Sequence, residues 1–189
     1  LRIKSIALRE GLPTGEVNYS EQIQVEAGDP VIAELGAAQA DEVSEIKTYD
    51  KAFSAPDQKL RSRSWQRDVK GDGTHLRVKS EQVTNGELFN QFSFTEQKVL
   101  ETEAAQAEAR VAAELTAAAE EEAEEGERSV LIEYEAGFDS DIAMETYLDD
   151  GLRDFSLRYE DGVIVETIVY FYERMEIGEY LFSLLSDDF

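Results

Sequence analysis

The segment Leu1-Arg2-Ile3-Lys4-Ser5 returns 75 residues later as Leu76-Arg77-Val78-Lys79-Ser80, and this self-similarity constrains the fold more than any other feature of the sequence. The correspondence continues without a gap. Gly11 falls on Gly86, Tyr19 on Phe94, Ser20 on Thr95, Glu21-Gln22 on Glu96-Gln97, Val25 on Leu100 and Glu26 on Glu101, so that eight of 26 positions are identical. Further along, Tyr49-Asp50 and Phe53 match Tyr134-Glu135 and Phe138 at an offset of 85, which places ten extra residues in the second copy. The alanine and glutamate tract from Ala117 to Glu127 is where a helix extension would accept them. A third, weaker echo begins at Leu152-Arg153, with Ser156, Gly162 and Tyr170 at the corresponding spacings.

Local patterns fill in the repeat. Leu1 to Glu10 and Glu16 to Glu26 alternate in part and flank Gly11-Leu12-Pro13-Thr14-Gly15, which predicts a hairpin. A helix is expected from Asp29-Pro30 to Glu45, with proline in its first turn. Strands follow over Glu45 to Phe53, Lys59 to Val69 and Thr74 to Val83, the last two joined by Lys70-Gly71-Asp72-Gly73. In the second copy, Ser93 and Glu96 have capping-box spacing and predict a helix to about Glu125. Its narrow apolar stripe is Leu100, Ala104, Ala107, Val111, Leu115 and Ala118. Strands resume at Ser129 to Ala136, and Asp161-Gly162 predicts a hairpin between Phe155 to Tyr159 and Val163 to Glu173. The expected fold class is therefore α+β: two tandem modules of β-β-α-β-β-β type, mainly antiparallel, with one long helix in the second. The expected boundaries are 1–75, 76–151, and 152–189 for a hairpin completing the second module together with an apolar tail.

Charge narrows the partners. Forty-two acidic residues against 18 basic ones give a formal net charge of −24, which repels nucleic acid and anionic membrane surfaces. No run approaches the roughly 18 apolar residues of a membrane span, so no membrane insertion is expected. The chain has no cysteine, which removes disulfides, thiolate metal sites and cysteine nucleophiles together. It opens on Leu1 rather than methionine, as a trimmed or processed chain would. Compartment is not legible, although a virion or organelle interior would suit an acidic building block.

Catalytic signals are weak. His75 is the only histidine and reads as a hairpin-end residue. Gly11, Gly15, Gly71 and Gly73 lack the spacing and lysine of a phosphate loop. Asp139-Ser140-Asp141 leading to Asp149-Asp150 begins like a calcium loop, but Met144 stands where glycine is needed and Ala143 supplies no ligand. Asp68 to Asp72 fails similarly through Lys70. Weak divalent-cation binding by the acidic surface is the only ion expectation, and no cofactor is expected. Glu120, Glu121, Glu122, Glu124, Glu125 and Glu127 read as a solvated helix end, while Trp65, Tyr159, Tyr170, Phe171 and Tyr172 read as core or sheet face. The C-terminal tail stands out instead: Tyr180, Leu181, Phe182, Leu184, Leu185 and Phe189 form an apolar end on a charged chain, suited to closing its own module or docking on a neighbouring subunit.

These features point to a non-enzymatic structural protein that self-assembles into a tube, sheet, shell or virion component, as a homo-oligomer or with assembly partners. Pseudo-symmetric modules present similar edges in two directions. The competing expectation is a small-ligand or protein-binding module, a cup of sheet and helix lined by the aromatic strands. A decoy imitating nucleic acid would need its carboxylates on one face, whereas these are spread along the chain.

Overall fold

The computed structural model describes residues 1–9, 12–100, 128–149 and 151–170. These residues form ten strands in one antiparallel sheet. They are β1 (Arg2–Arg9), β2 (Leu12–Gln24), β3 (Val43–Tyr49), β4 (Leu60–Asp68), β5 (His75–Thr84), β6 (Glu87–Val99), β7 (Arg128–Tyr134), β8 (Ile142–Asp149), β9 (Leu152–Glu160) and β10 (Val163–Val169). Every strand pairs with its neighbours in sequence, a plain meander. Among the described residues there is a single short α-helix, α1 (Pro30–Glu34), between β2 and β3. Asp29 caps it by accepting from the Val31 amide at 3.0 Å, and Pro30 starts it where a missing N–H costs nothing.

The α+β expectation is thus corrected to a nearly all-β architecture. The helix expected to reach Glu45 stops at Glu34, because Leu35 and Gly36 turn the chain and Gly36 takes a φ of 72°. After a short 3-10 turn at Ala40–Glu42, Val43 already belongs to β3. The second helix cannot begin at Ser93, since Ser93 to Val99 lie inside β6. Here the period is two: Phe92, Phe94, Glu96 and Lys98 share one face, while Ser93, Thr95 and Gln97 share the other. The remainder of that expected helix, from Glu101 to Glu127, lies outside the described residues. Ile142 to Asp149, the stretch whose Ala143 and Met144 break the calcium-loop pattern, is strand β8.

The 75-residue and 85-residue offsets reappear in backbone detail. The β1–β2 register slips between Ile6 and Leu8, and the β5–β6 register slips between Glu81 and Val83, the same two positions shifted by 75. The β3–β4 slip at Thr48/Tyr49 returns in β7–β8 at Glu133/Tyr134, shifted by 85. Bulges re-aim side chains and fix register, so their recurrence preserves the same facing residues in both places. Tight turns agree. Asn85-Gly86 and Asp161-Gly162 both place two successive residues at positive φ, at 55° and 91° and at 53° and 74°, which is the backbone of a type I′ hairpin turn.

The sheet has one covered face along its first half. Val31 and Leu35 of α1 pack there with Val25, Val43, Trp65, Phe94 and Phe138. A second cluster joins Val130, Ile132, Tyr147, Phe155 and Leu157 on the same face further along. Phe155 is 1% exposed and stacks on Tyr147, its direct cross-strand partner, with ring centroids 4.5 Å apart. Truncating Phe155 to alanine is expected to cost about 3–5 kcal/mol, read as a lowered midpoint in urea denaturation, whereas the same truncation at exposed Leu152 should change the midpoint little.

Candidate functional site

Two regions stand out when the polar chemistry is traced across the sheet: an ionic cluster centred on Glu96, and the two outer edges. Glu96 is 1% exposed, yet it is a carboxylate in the middle of the covered face. Cross-strand pairing sets its company, since Arg77 lies opposite it on β5 and Ile132 on β7. Its Oε1 accepts from Arg77 Nε at 2.9 Å and lies 2.5 Å from His75 Nε2. Its Oε2 accepts from the Tyr134 hydroxyl at 2.5 Å and lies 3.1 Å from Lys98 Nζ.

Burial by itself raises the Glu96 carboxyl, but the hydrogen bonds from Tyr134, His75, Arg77 and Lys98 outweigh it and bring the pKa down from 4.5 to about 2. Tyr134 is pushed well above the ordinary phenol range, first by burial and then by the adjacent Glu96 charge. Tyr147 and Tyr159 move upward for similar reasons, by burial and then by Glu145, whose Oε2 accepts from both hydroxyls at 3.1 and 2.7 Å. A carboxylate so stabilised is a poor proton acceptor near neutral pH, and Tyr134 a poor proton donor.

Neighbouring rows carry the same kind of chemistry. Arg63 Nε binds Glu45 at 2.6 Å and its Nη1 binds Glu81 at 3.2 Å, all three on the covered face. Buried Lys79 is ion-paired with Glu34 of α1 and lies over three aromatic rings, with Nζ 5.6 Å from Trp65, 4.2 Å from Phe92 and 5.6 Å from Phe94.

The repeat recurs in these contacts. Arg2–Glu21 matches Arg77–Glu96, each with an Nε–Oε1 distance of 2.9 Å. Lys4 lies over Tyr19 as Lys79 lies over Phe94. Phe53 meets Tyr19 and Tyr49 edge-on under the Arg2 guanidinium; Phe138 meets Phe94 and Tyr134 edge-on under that of Arg77.

The residues singled out in the sequence land in different places. His75 belongs to the Glu96 cluster rather than to a hairpin end alone. Asp68 and Asp72 bind the amides of Gly71, Gly73 and Thr74 and so hold the β4–β5 turn. Ser140 closes its own turn through the Ala136 and Gly137 amides, while Asp149 lies at the far end of β8. Among the described residues no group of three or more His, Asp or Glu is placed to hold a metal ion. Nor does any helix there have the length and apolarity to cross a membrane. Tyr180, Leu181, Phe182, Leu184, Leu185 and Phe189, with Phe171, Tyr172 and the glutamate run, lie outside the described residues. A recess of about 770 Å³ lies beside α1, lined by Ala27, Pro30, Ile32, Ala37, Ala38 and Asp41 rather than by the aromatic strands.

At the sheet's ends the chemistry is different. Neither β1 nor β10 has an outer partner strand among the described residues. Leu1 and Ile3 at one end, and Val163, Val165, Ile168 and Val169 at the other, are exposed large apolar side chains. Sequence reading missed these edges because it placed the ends of the sheet inside two separate modules. Comparison with protein-family models, curated proteins and solved structures gives no match to this chain.

The folded-state pKa of Glu96 lies below its ordinary value, so its contribution to stability is present above pH 4.5 and is lost as pH falls toward about 2. Glu96→Gln should lose on the order of 3 kcal/mol at pH 7 and show a flatter acid limb between pH 5 and 2. Urea unfolding at a series of pH values checks both effects, and an acid limb as steep as that of the unsubstituted chain would refute the assignment.

Proposed function

We propose that this chain is a non-enzymatic structural protein that assembles into a tube, sheet, shell or virion component through the edges of its sheet. The observation that carries the reading is the pair of outer strands, β1 and β10, which have no outer partner among the described residues and hold exposed apolar side chains. An edge of this kind presents a row of backbone donors and acceptors with apolar side chains beside it, a template for another strand. Soluble proteins normally guard such edges with charge. On β10 the one charged residue, Glu166, is ion-paired with Arg158 of its own hairpin at 2.9 Å, which leaves Val163, Val165, Ile168 and Val169 as the character of the edge.

Charge placement supports the same reading. Arg2, Lys4, Lys47, Arg63, Arg67, Arg77, Lys79 and Lys98 all lie on the covered face, eight of the chain's 18 basic residues. Acidic residues therefore dominate what solvent and neighbouring copies meet. Such a charge keeps free copies apart and lets ionic strength control association. The only histidine and the most strongly shifted carboxylate are bound to each other, and three tyrosines are committed to carboxylates, so these groups support structure rather than proton transfer.

Size-exclusion chromatography with light scattering, across a series of salt and divalent-cation concentrations, tests this directly. The full chain should form species larger than a dimer, growing as salt screens the −24 charge, with an ordered outline in negative-stain images. Val165→Lys together with Ile168→Lys should shift that population toward monomer with an unchanged circular dichroism spectrum. A monomer under every condition would overturn the proposal.

A further inference from the structure

The two faces of strands β2 to β6 differ in kind. On the covered face charged residues follow one another across the strands, as in the row Glu21, Lys47, Arg63 and Glu81. On the opposite face the central row runs Gln22, Ile46, Ser64, Ser80 and Ser93. The rows on either side continue it, one from Ser20 through Thr48 to Ser62, the other from Gln24 through Ser44, Gln66 and Val78 to Thr95. Every member is Ser, Thr or Gln except Ile46 and Val78, and none is charged, in a chain that is 32% charged. Gln24, Ser62 and Ser93 are exposed and the others half-buried, so the face is open to solvent. Charge returns at its margins, with Glu133 of β7 opposite Thr95 and Asp68 opposite Leu76 beside the β4–β5 turn.

We propose that this neutral face packs against the same face of a second copy, an isologous contact about a two-fold axis. The proposal takes its partner from the assembly reading and adds to the edges a second contact, across the face of the sheet. A sheet face meant only for water accommodates Lys and Glu, and this chain has both in abundance. Keeping charge off a broad patch matters where another surface must approach, since charged residues are depleted from the cores of interfaces.

Charge and hydrogen bonding both select a second copy. Each copy carries a net charge of −24, so two copies that meet through charged surfaces set like charges against one another, which costs several kcal/mol where they touch. The neutral face brings none. Its hydroxyl and carboxamide groups each donate and accept, so every row is complementary to itself, as a two-fold contact requires and as a row of lysines or glutamates is not. Serine is also small, which lets two sheets approach to the usual spacing of about 10 Å. A neutral polysaccharide would match the same hydrogen-bonding groups but is favoured less, because sugar rings stack on aromatic side chains and the three rows contain none. Tyr19, Tyr49, Trp65, Phe92 and Phe94 belong to the covered face.

Sedimentation equilibrium of the full chain carrying Val165→Lys and Ile168→Lys, which disables the β10 edge, isolates the face contact. This chain should dimerise at high concentration, and more tightly as salt rises. Ser64 sits on the middle strand of the central row, so adding Ser64→Glu or Ser64→Lys should weaken the dimer about tenfold or more. The same changes at exposed Ser54, in the β3–β4 loop, should leave it unchanged. Mixing Ser64→Glu copies with Ser64→Lys copies should restore dimerisation, because the two-fold contact then brings opposite charges together. Circular dichroism checks that these variants fold, and Ser93→Glu with Ser93→Lys, at the exposed end of the same row, repeats the comparison if they do not. An edge-disabled chain that stays monomeric while the unsubstituted chain assembles overturns the face contact and leaves the assembly reading standing. A dimer weakened by Ser64→Glu, in a protein that never grows past a dimer with its edges intact, upholds the face contact and sinks the assembly reading. A monomer that binds soluble dextran, and loses it with Ser64→Lys, assigns the face to a neutral polysaccharide and overturns the second-copy proposal.

Discussion

The buried Glu96 carboxylate is the interaction around which the covered face is organised. Removing a carboxylate from water costs several kcal/mol, and the cost is met only when its oxygens are bound and opposite charge lies close. Here strand register meets that requirement. Arg77 is the direct cross-strand partner, His75 and Lys98 lie two residues along their strands from Arg77 and Glu96, and Tyr134 reaches in from β7. A slip of one residue between β5 and β6 would turn Glu96, and Lys98 with it, to the other face and leave His75 and Arg77 facing inward without the carboxylate. The cluster thus specifies register more than it adds net stability, since well-packed apolar residues hold a core together at least as well as ions do.

The same reasoning extends along the sheet because the contacts repeat. In a meander each strand meets only its sequence neighbours, so stability is a sum of hairpins and their junctions, much as in a repeat array. Interior copies of the Leu-Arg strand gain from both sides, and the copy at the end gains from one. The difference between Arg2, whose side chain is 63% exposed, and Arg77, at 27%, is this end effect measured on a single side-chain type. Arrays of this kind are sensitive to what caps them, and among the described residues both ends carry exposed apolar side chains, beside Arg2 and Lys4 on β1.

The repeat, most strands and the Asp161-Gly162 turn were legible because they depend on local chemistry: sequence identity, alternation, and the positive φ that Asn, Asp and Gly tolerate. The long helix was not. Ser93 and Glu96 have the spacing of a capping box, and what overrides it is tertiary, the presence of Arg77, His75 and Tyr134 around the Glu96 side chain. The strict alternation of Phe92, Phe94, Glu96 and Lys98 was present in the sequence, but it escapes a search for apolar periodicity because half its members are charged. Strand β8 was hidden by the same mixture of Glu145 and Tyr147 on one face with Met144 and Thr146 on the other. Charged residues inward are unusual for a sheet, and only pairing partners far away in sequence make them affordable.

This inward placement also reconciles the extreme charge with a folded, edge-bearing sheet. Arg63, Arg67, Arg77 and Lys79 turn inward onto Glu45, Glu81, Glu42, Glu96 and Glu34, so these charges largely cancel there and the net −24 is carried by the rest of the chain. Repulsion between copies is long-range and falls within about a Debye length, roughly 8 Å at physiological ionic strength. Strand pairing and apolar contact act only at touching distance. The two therefore operate in sequence: charge sets how often copies meet, and the edges decide whether a meeting lasts.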